Sequence, residues 1–154
     1  MTMQKQFIII GAKDRIDFPE FGIYDIPCRI DTGALTSSIH CHRVKIKQGV
    51  DGKERLYFRL LDPKHPNYQK KDFVVENFTE KKIKSSNGQS EYRFVIQAKV
   101  ILFGMEIITE FSLADRERMQ FPVLLGRKLL NKRFLVDVSK NDLSYKYKQK
   151  YSNS

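Results

Sequence analysis

The feature that most constrains this chain is the way apolar and polar residues alternate in short runs, broken by turn signals every few residues. Ile26, Cys28 and Ile30, for example, are interleaved with Asp25, Pro27 and Arg29. A period of two puts neighbouring side chains on opposite faces of a strand. Many such runs at short spacing point to a sandwich or barrel, not to a helical bundle. Strands are expected over residues 7–10, 25–30, 38–46, 56–61, 73–78, 92–102, 105–113, 123–125 and 134–138. Turns are expected at residues 49–52, at Phe103-Gly104 and at 85–88, where Asn87-Gly88 tolerates the positive φ of a tight hairpin. Residues 11–22, around Pro19, read as a turn-rich stretch, 62–72, with Pro63 and Pro66, as a loop, and 114–121 as charged and irregular. One short helix is expected at 127–131.

At 154 residues, 41% of them hydrophobic, the chain is long enough for one domain with a sizeable core. That domain is expected over residues 1–139. The basic remainder, 140–154, is expected either to fray or to use the alternation Leu143-Ser144-Tyr145-Lys146-Tyr147 as an interface strand. No run approaches the ~20 apolar residues of a membrane-spanning helix. Phe7-Ile8-Ile9-Ile10 is too short for a secretory core of ~7–15 residues, so a cytoplasmic location is expected. Cys28 and Cys41 make no disulfide framework. The net charge of +10 draws polyanions without choosing among nucleic acid, acidic lipid and acidic peptide; it also describes a surface kept soluble by self-repulsion.

The chemistry gathers at Asp31-Thr32-Gly33, which ends a strand with a buried face. A carboxylate delivered to such a place is expected to be desolvated. The Thr32 hydroxyl can lock the loop, and Gly33 permits a tight turn that brings amides to the carboxylate. Two carboxylates held face to face share one proton. One then acts as base on a water, and the other donates a hydrogen bond to a peptide carbonyl. Alone, the triplet equally describes a turn closing a strand. Ala34, the run Thr36-Ser37-Ser38 and the distant Val123-Leu124-Leu125-Gly126-Arg127-Lys128-Leu129-Leu130 add to it. Bulky apolar residues, a glycine and a short helix are what buttressing a catalytic loop from behind requires.

Together, Ile30-Asp31-Thr32-Gly33-Ala34 and Leu124-Leu125-Gly126-Arg127-Lys128-Leu129-Leu130 resemble the paired signatures of retropepsins. More narrowly, the chain resembles the bacterial retropepsin-like family labelled RimK-associated or "putative ATP-dependent zinc protease". Leu113-Ala114-Asp115-Arg116 with Met119, Phe121-Pro122 and Phe134-Leu135-Val136-Asp137 also match that pattern. The resemblance implies a mainly β, closed six-stranded type of barrel with one short helix after Leu-Leu-Gly-Arg. It implies that Asp31 is the catalytic carboxylate, with Thr32 bracing the loop and Gly33 and Ala34 completing it. Leu124, Leu125 and Gly126 form the supporting strand, Arg127 belongs to the supporting helix, and Asp115 and Arg116 lend motif support. In viral members that Arg pairs with an Asp two positions after the catalytic Gly. Here Leu35 occupies that position, so Arg127 needs another partner, Asp115 or Asp137 being the candidates.

There is no second Asp-Thr-Gly or Asp-Ser-Gly, so a dyad requires a homodimer contributing Asp31 twice. A substrate-covering flap is expected between Asp62 and Glu91. The expected activity is endopeptidase cleavage of a peptide or protein, with no cofactor. A glutamate-rich substrate would suit the charge, and an ATP-grasp glutamate ligase is the partner the resemblance suggests. A retropepsin fold that binds such a ligase without cutting is the alternative. Zinc and ATP find no support: there is no His-Glu-x-x-His and no Gly-rich phosphate loop. His40-Cys41-His42 reads as two surface histidines and a core cysteine. Lys70-Lys71 and Lys81-Lys82-Ile83-Lys84, near Phe73, Phe78 and Tyr92, are the basis for a lesser reading as a nucleic-acid binder.

Overall fold

The computed structural model describes residues 6–84, 88–115 and 120–151. Residues 85–87 of the turn expected at 85–88, and Arg116 and Met119 of the matched motif, lie outside the described residues. Eleven strands are described: β1 (Ile8–Ile10), β2 (Lys13–Phe18), β3 (Ile23–Ile30), β4 (Ser37–Gln48), β5 (Glu54–Leu60), β6 (Phe73–Val75), β7 (Phe78–Lys84), β8 (Ser90–Leu102), β9 (Met105–Ala114), β10 (Val123–Leu125) and β11 (Phe134–Val136). The α-helices described are α1 (Arg127–Leu130) and α2 (Leu143–Tyr151), and Pro19–Phe21 form a short 3-10 helix. The chain is mainly β, as its period-two patterning requires.

Strand pairings run β10–β3–β2–β8–β9–β4, and β4 pairs back onto β10, so six strands form a closed ring of neighbours. β5 and β6 extend from β4, and β7 pairs with β8. β1 and β11 form a separate two-stranded parallel sheet, with Ile9 opposite Leu135. The inward positions of the alternating strands supply one core. Ile16, Phe18, Ile26, Cys28, Leu56, Phe58, Val100, Phe111, Val123 and Leu125 are fully buried in it. Phe18 meets Phe111 edge to face, with ring centroids 5.2 Å apart. The strands at 25–30, 38–46, 56–61, 92–102 and 105–113 agree with the patterning to within a few residues.

Three segments differ from expectation. The stretch read as turn-rich contains β2, because Asp14 and Asp17 occupy buried positions that mask its alternation. The expected strand at 73–78 is two strands, β6 and β7, with the lysines of 81–84 inside the second. Within the C-terminal segment, Leu143–Tyr151 form the helix α2 in place of a frayed tail or an interface strand. Residues three and four apart along it lie on one face, and Ser144 and Lys148 turn toward β2. Asp14 Oδ2 accepts from Ser144 N at 2.8 Å and Oδ1 from Tyr145 N at 3.0 Å, capping the first turn. Lys148 Nζ reaches Asp17 at 2.9 Å and Asp25 at 2.7 Å. The buried carboxylates of β2 thus have their partners about 130 residues downstream, with a sequence separation of 130 for Asp14 and Ser144.

Candidate active site

Asp31 is the first residue after β3, and the loop it opens returns as β4. β10 lies between these two strands. It runs parallel to β3, pairing Val123, Leu124 and Leu125 with Cys28, Arg29 and Ile30, and antiparallel to β4, pairing Val123 with Ile39 and Leu124 with Ser38. Asp31 N donates to Leu125 O at 2.9 Å, so the supporting strand grips the loop at its first residue. Ala34 N closes a turn onto Asp31 O at 3.2 Å, and Gly33 N donates to Asp31 Oδ1 at 3.0 Å. One carboxylate oxygen is thereby fixed by a backbone amide, as the tripeptide suggested.

Gly126 sits where a side chain has no room. A Cβ there would stand 2.8 Å from Ala34 O and 3.0 Å from Leu35 O. The close approach lets the next two amides tie the loop to α1: Arg127 N donates to Ala34 O at 2.8 Å and Lys128 N to Leu35 O at 3.0 Å. Gly126 N itself donates to the buried Ser37 Oγ at 3.0 Å. Ser37 supports the site through its hydroxyl; the sequence marked it only as part of the run Thr36-Ser37-Ser38, without this role, because its partner is 89 residues away.

Arg127 pairs with neither expected carboxylate; its Nη1 donates to Thr32 O at 3.0 Å. The guanidinium therefore braces the loop through a backbone carbonyl, a role that survives Leu35 in place of the viral Asp. Asp137 bonds instead to Ser139, whose N and Oγ lie 3.0 and 2.6 Å from Oδ1, and these bonds hold its carboxyl below the usual range. Asp115 follows β9, with Oδ1 3.8 Å from His40 Nδ1. Since Ala114 is paired with His40, Asp115 stands about four residues, or ~13 Å, along β4 from Ser37. It is not gathered into the Asp31 loop. α1 is anchored from outside by Glu110, which bridges Lys128 at 2.9 Å and Lys81 at 2.8 Å. The Lys81 contact first, and then Lys128, pull the Glu110 carboxyl below its ordinary range.

In a single chain Asp31 is half-buried and Thr32 and Gly33 are exposed, so one copy does not supply the expected desolvation. His40, read as a surface residue, is 3% exposed, because β4 is flanked there by β9. His42 Nε2 contacts Tyr68 Oη at 3.2 Å. Among the described residues no group of three or more His, Cys, Asp or Glu is placed to hold a metal ion. Among the described residues no helix is long and apolar enough to cross a membrane.

The profile of the RimB-like family, described as retropepsin-like aspartic endopeptidase RimB, matches residues 9–147. A probable alpha-L-glutamate ligase of Shewanella pealeana is 33% identical over 143 residues, covering 90% of this chain and 30% of that protein. One from Desulfotalea psychrophila is 37% identical over 133 residues, covering 84% and 28%. The chain thus spans less than a third of the curated relatives it matches. A crystal structure of a Legionella pneumophila protein of unknown function superposes with a TM-score of 0.69 at 20% identity, over 89% of this chain and 98% of that one, and so shares the fold. The chain belongs to the RimB-like family of retropepsin-like proteins.

Proposed function

We propose that the chain is an aspartic endopeptidase that works as a homodimer, with Asp31 from each copy forming the catalytic pair. The observation that supports this most is the construction of the Asp31 loop. β10, Gly126 and α1 grip it from behind through three backbone hydrogen bonds, while Thr32 and Gly33 face outward. A loop braced on one side and exposed on the other presents a carboxylate to a partner or substrate. In this reading the closed ring of six strands is the barrel of the acid-protease fold.

Facing a second Asp31, the two carboxylates share one proton, because like charges at that distance do not both ionise. The ionised member takes a proton from a water as its oxygen bonds to the peptide carbonyl carbon. The protonated member gives its proton to the carbonyl oxygen. The tetrahedral diol then loses its C–N bond: one carboxyl gives its proton to the departing amine, while the other takes a proton from a diol hydroxyl as the C=O bond re-forms, which leaves a carboxylic acid and a pair again sharing one proton. Incubating wild type and Asp31→Asn with a peptide library tests this. Cleavage by wild type alone is expected, and equal cleavage by both would sink the mechanism.

The net charge of +10 and the relatives described as glutamate ligases favour a glutamate-rich substrate. Preferential cleavage of acidic over neutral peptides at low salt is expected; equal rates would count against it. The same relatives support a second reading, a non-cutting module that binds a glutamate ligase. That reading predicts binding to such a ligase that Asp31→Asn leaves unchanged.

A further inference from the structure

Between α2 and the strands β2 and β8 lies a hollow of about 290 Å³, whose walls include Arg15, Phe103, Tyr145, Tyr147, Lys148 and Tyr151. None of its lining residues belongs to the Asp31 loop or to the strand and helix that support that loop. The walls are largely aromatic. Tyr147 and Tyr151, one turn apart on α2, are 40% and 58% exposed, and their ring centroids stand 4.5 Å apart. A further ring comes from the turn between β8 and β9, where Phe103 and Gly104 adopt φ of +52° and +72°. Asn or Gly usually opens such a turn, so a bulky ring there is held at a backbone cost. What Phe103 supplies is a wall. Its ring centroid is 6.0 Å from that of Tyr147, and its N donates to Ser144 Oγ of α2 at 2.8 Å.

The two cations on the walls differ in what they already hold. Lys148 Nζ is satisfied by Asp17 at 2.9 Å and Asp25 at 2.7 Å. Arg15 is exposed, with its Cζ 3.9 Å from the centroid of the Tyr145 ring, and no described carboxylate pairs with its guanidinium. A guanidinium resting on a ring keeps the N–H donors along its edge, and these match a carboxylate through two parallel hydrogen bonds. Tyr145 N donates to Asp14 Oδ1 at 3.0 Å, so the residue beneath Arg15 is anchored to β2.

We propose that this hollow binds a small aromatic carboxylate, a planar acid of one or two rings. The rings enter among Phe103, Tyr147 and Tyr151, and the carboxylate meets Arg15. Volume sets the size, since about 290 Å³ lies at the lower end of small-ligand sites, roughly 300–1,000 Å³. Exposed aromatic faces favour flat rings over saturated ones. Arg15 favours a negative charge.

Titrating the full chain at low ionic strength, by calorimetry and ligand-observed NMR, tests this. The probe is 2-naphthoate, compared with 2-naphthamide, which has the same rings without the charge, and cyclohexanecarboxylate, which has the charge without the rings. A Kd of about 0.1–1 mM is expected for 2-naphthoate, with each of the others weaker by on the order of tenfold. Arg15→Gln should weaken 2-naphthoate by about tenfold and leave 2-naphthamide unchanged. Tyr151→Ala should weaken both. Lys82→Gln, on β7, should bind like wild type. In wild type, nuclear Overhauser contacts should run from the naphthyl protons to the rings of Phe103, Tyr147 and Tyr151, a readout that needs no variant. No saturation by about 10 mM 2-naphthoate, equal affinity for acid and amide, or naphthyl contacts to other rings overturns the proposal. So does a Lys82→Gln variant weakened as much as Arg15→Gln, because the acid would then be drawn by the +10 charge of the whole chain.

Discussion

Replacing Gly126 by Ala strikes the point where loop, supporting strand and helix meet. The added Cβ would lie 2.8 Å from Ala34 O and 3.0 Å from Leu35 O, both backbone atoms that cannot swing aside as a side chain can. Those oxygens accept from Arg127 N and Lys128 N at 2.8 and 3.0 Å, so relieving the clash stretches both bonds. Overpacking costs about 1–3 kcal/mol, and each lost hydrogen bond about 0.5–1.5 kcal/mol. A total of roughly 2–6 kcal/mol corresponds to a fall in Tm of about 4–24 °C for a chain of this size. Thermal and urea denaturation measure it, with Gly52→Ala as control. Gly52, unlike Gly126, sits at positive φ, so Ala there carries a backbone cost of its own, about 0.5–1 kcal/mol, but its Cβ meets nothing within 4 Å. A Gly126→Ala protein within 0.5 kcal/mol of wild type, or no worse than the control, would refute the view that close packing of α1 on the loop holds the site together.

Glu110→Gln removes the anchor of α1. Because the Glu110 carboxyl is held below its ordinary value, its contribution is present at neutral pH and fades as pH falls through the folded-state value. The variant should melt below wild type at pH 7, and the two curves should converge toward pH 3; a constant gap would contradict the assignment. Asp14→Asn leaves one of the two capping acceptors of α2 and should cost about 0.5–2 kcal/mol. Faster tryptic cutting within residues 146–150 would report it, and an unchanged rate would count against the cap. Burial drives the Cys28 thiol far up and pushes the Cys41 thiol up to about 12. Both should resist iodoacetamide at pH 8 in the folded protein and react once unfolded; rapid native labelling would contradict their burial.

The parts of the molecule legible from sequence are those whose cause is local. Asp31-Thr32-Gly33 carries its own turn, and Val123 to Leu130 carries its own strand, glycine and helix, so the supporting frame could be read before its contacts were known. β2 was hidden because a strand with Asp14 and Asp17 pointing inward makes sense only once α2 is present to receive them. α2 was misread for the mirror reason. Leu143, Tyr145 and Tyr147 alternate as a strand would, while the face that docks carries Ser144 and Lys148, which are polar. Ser37 and the Thr32 carbonyl were missed as supports because their partners, Gly126 and Arg127, lie 89 and 95 residues away. Asp115, matched by pattern, lies along β4 from the loop and not in it.

Mixing wild type with Asp31→Asn tests the shared active site most directly. At constant total concentration under dimerising conditions, an Asp31 pair exists only in dimers whose two copies are both wild type. An equal mixture should then keep about a quarter of the wild-type activity, because random pairing leaves one dimer in four intact. Activity falling only to about half, in proportion to the wild-type chains present, would mean that each chain carries a complete site and would contradict the account.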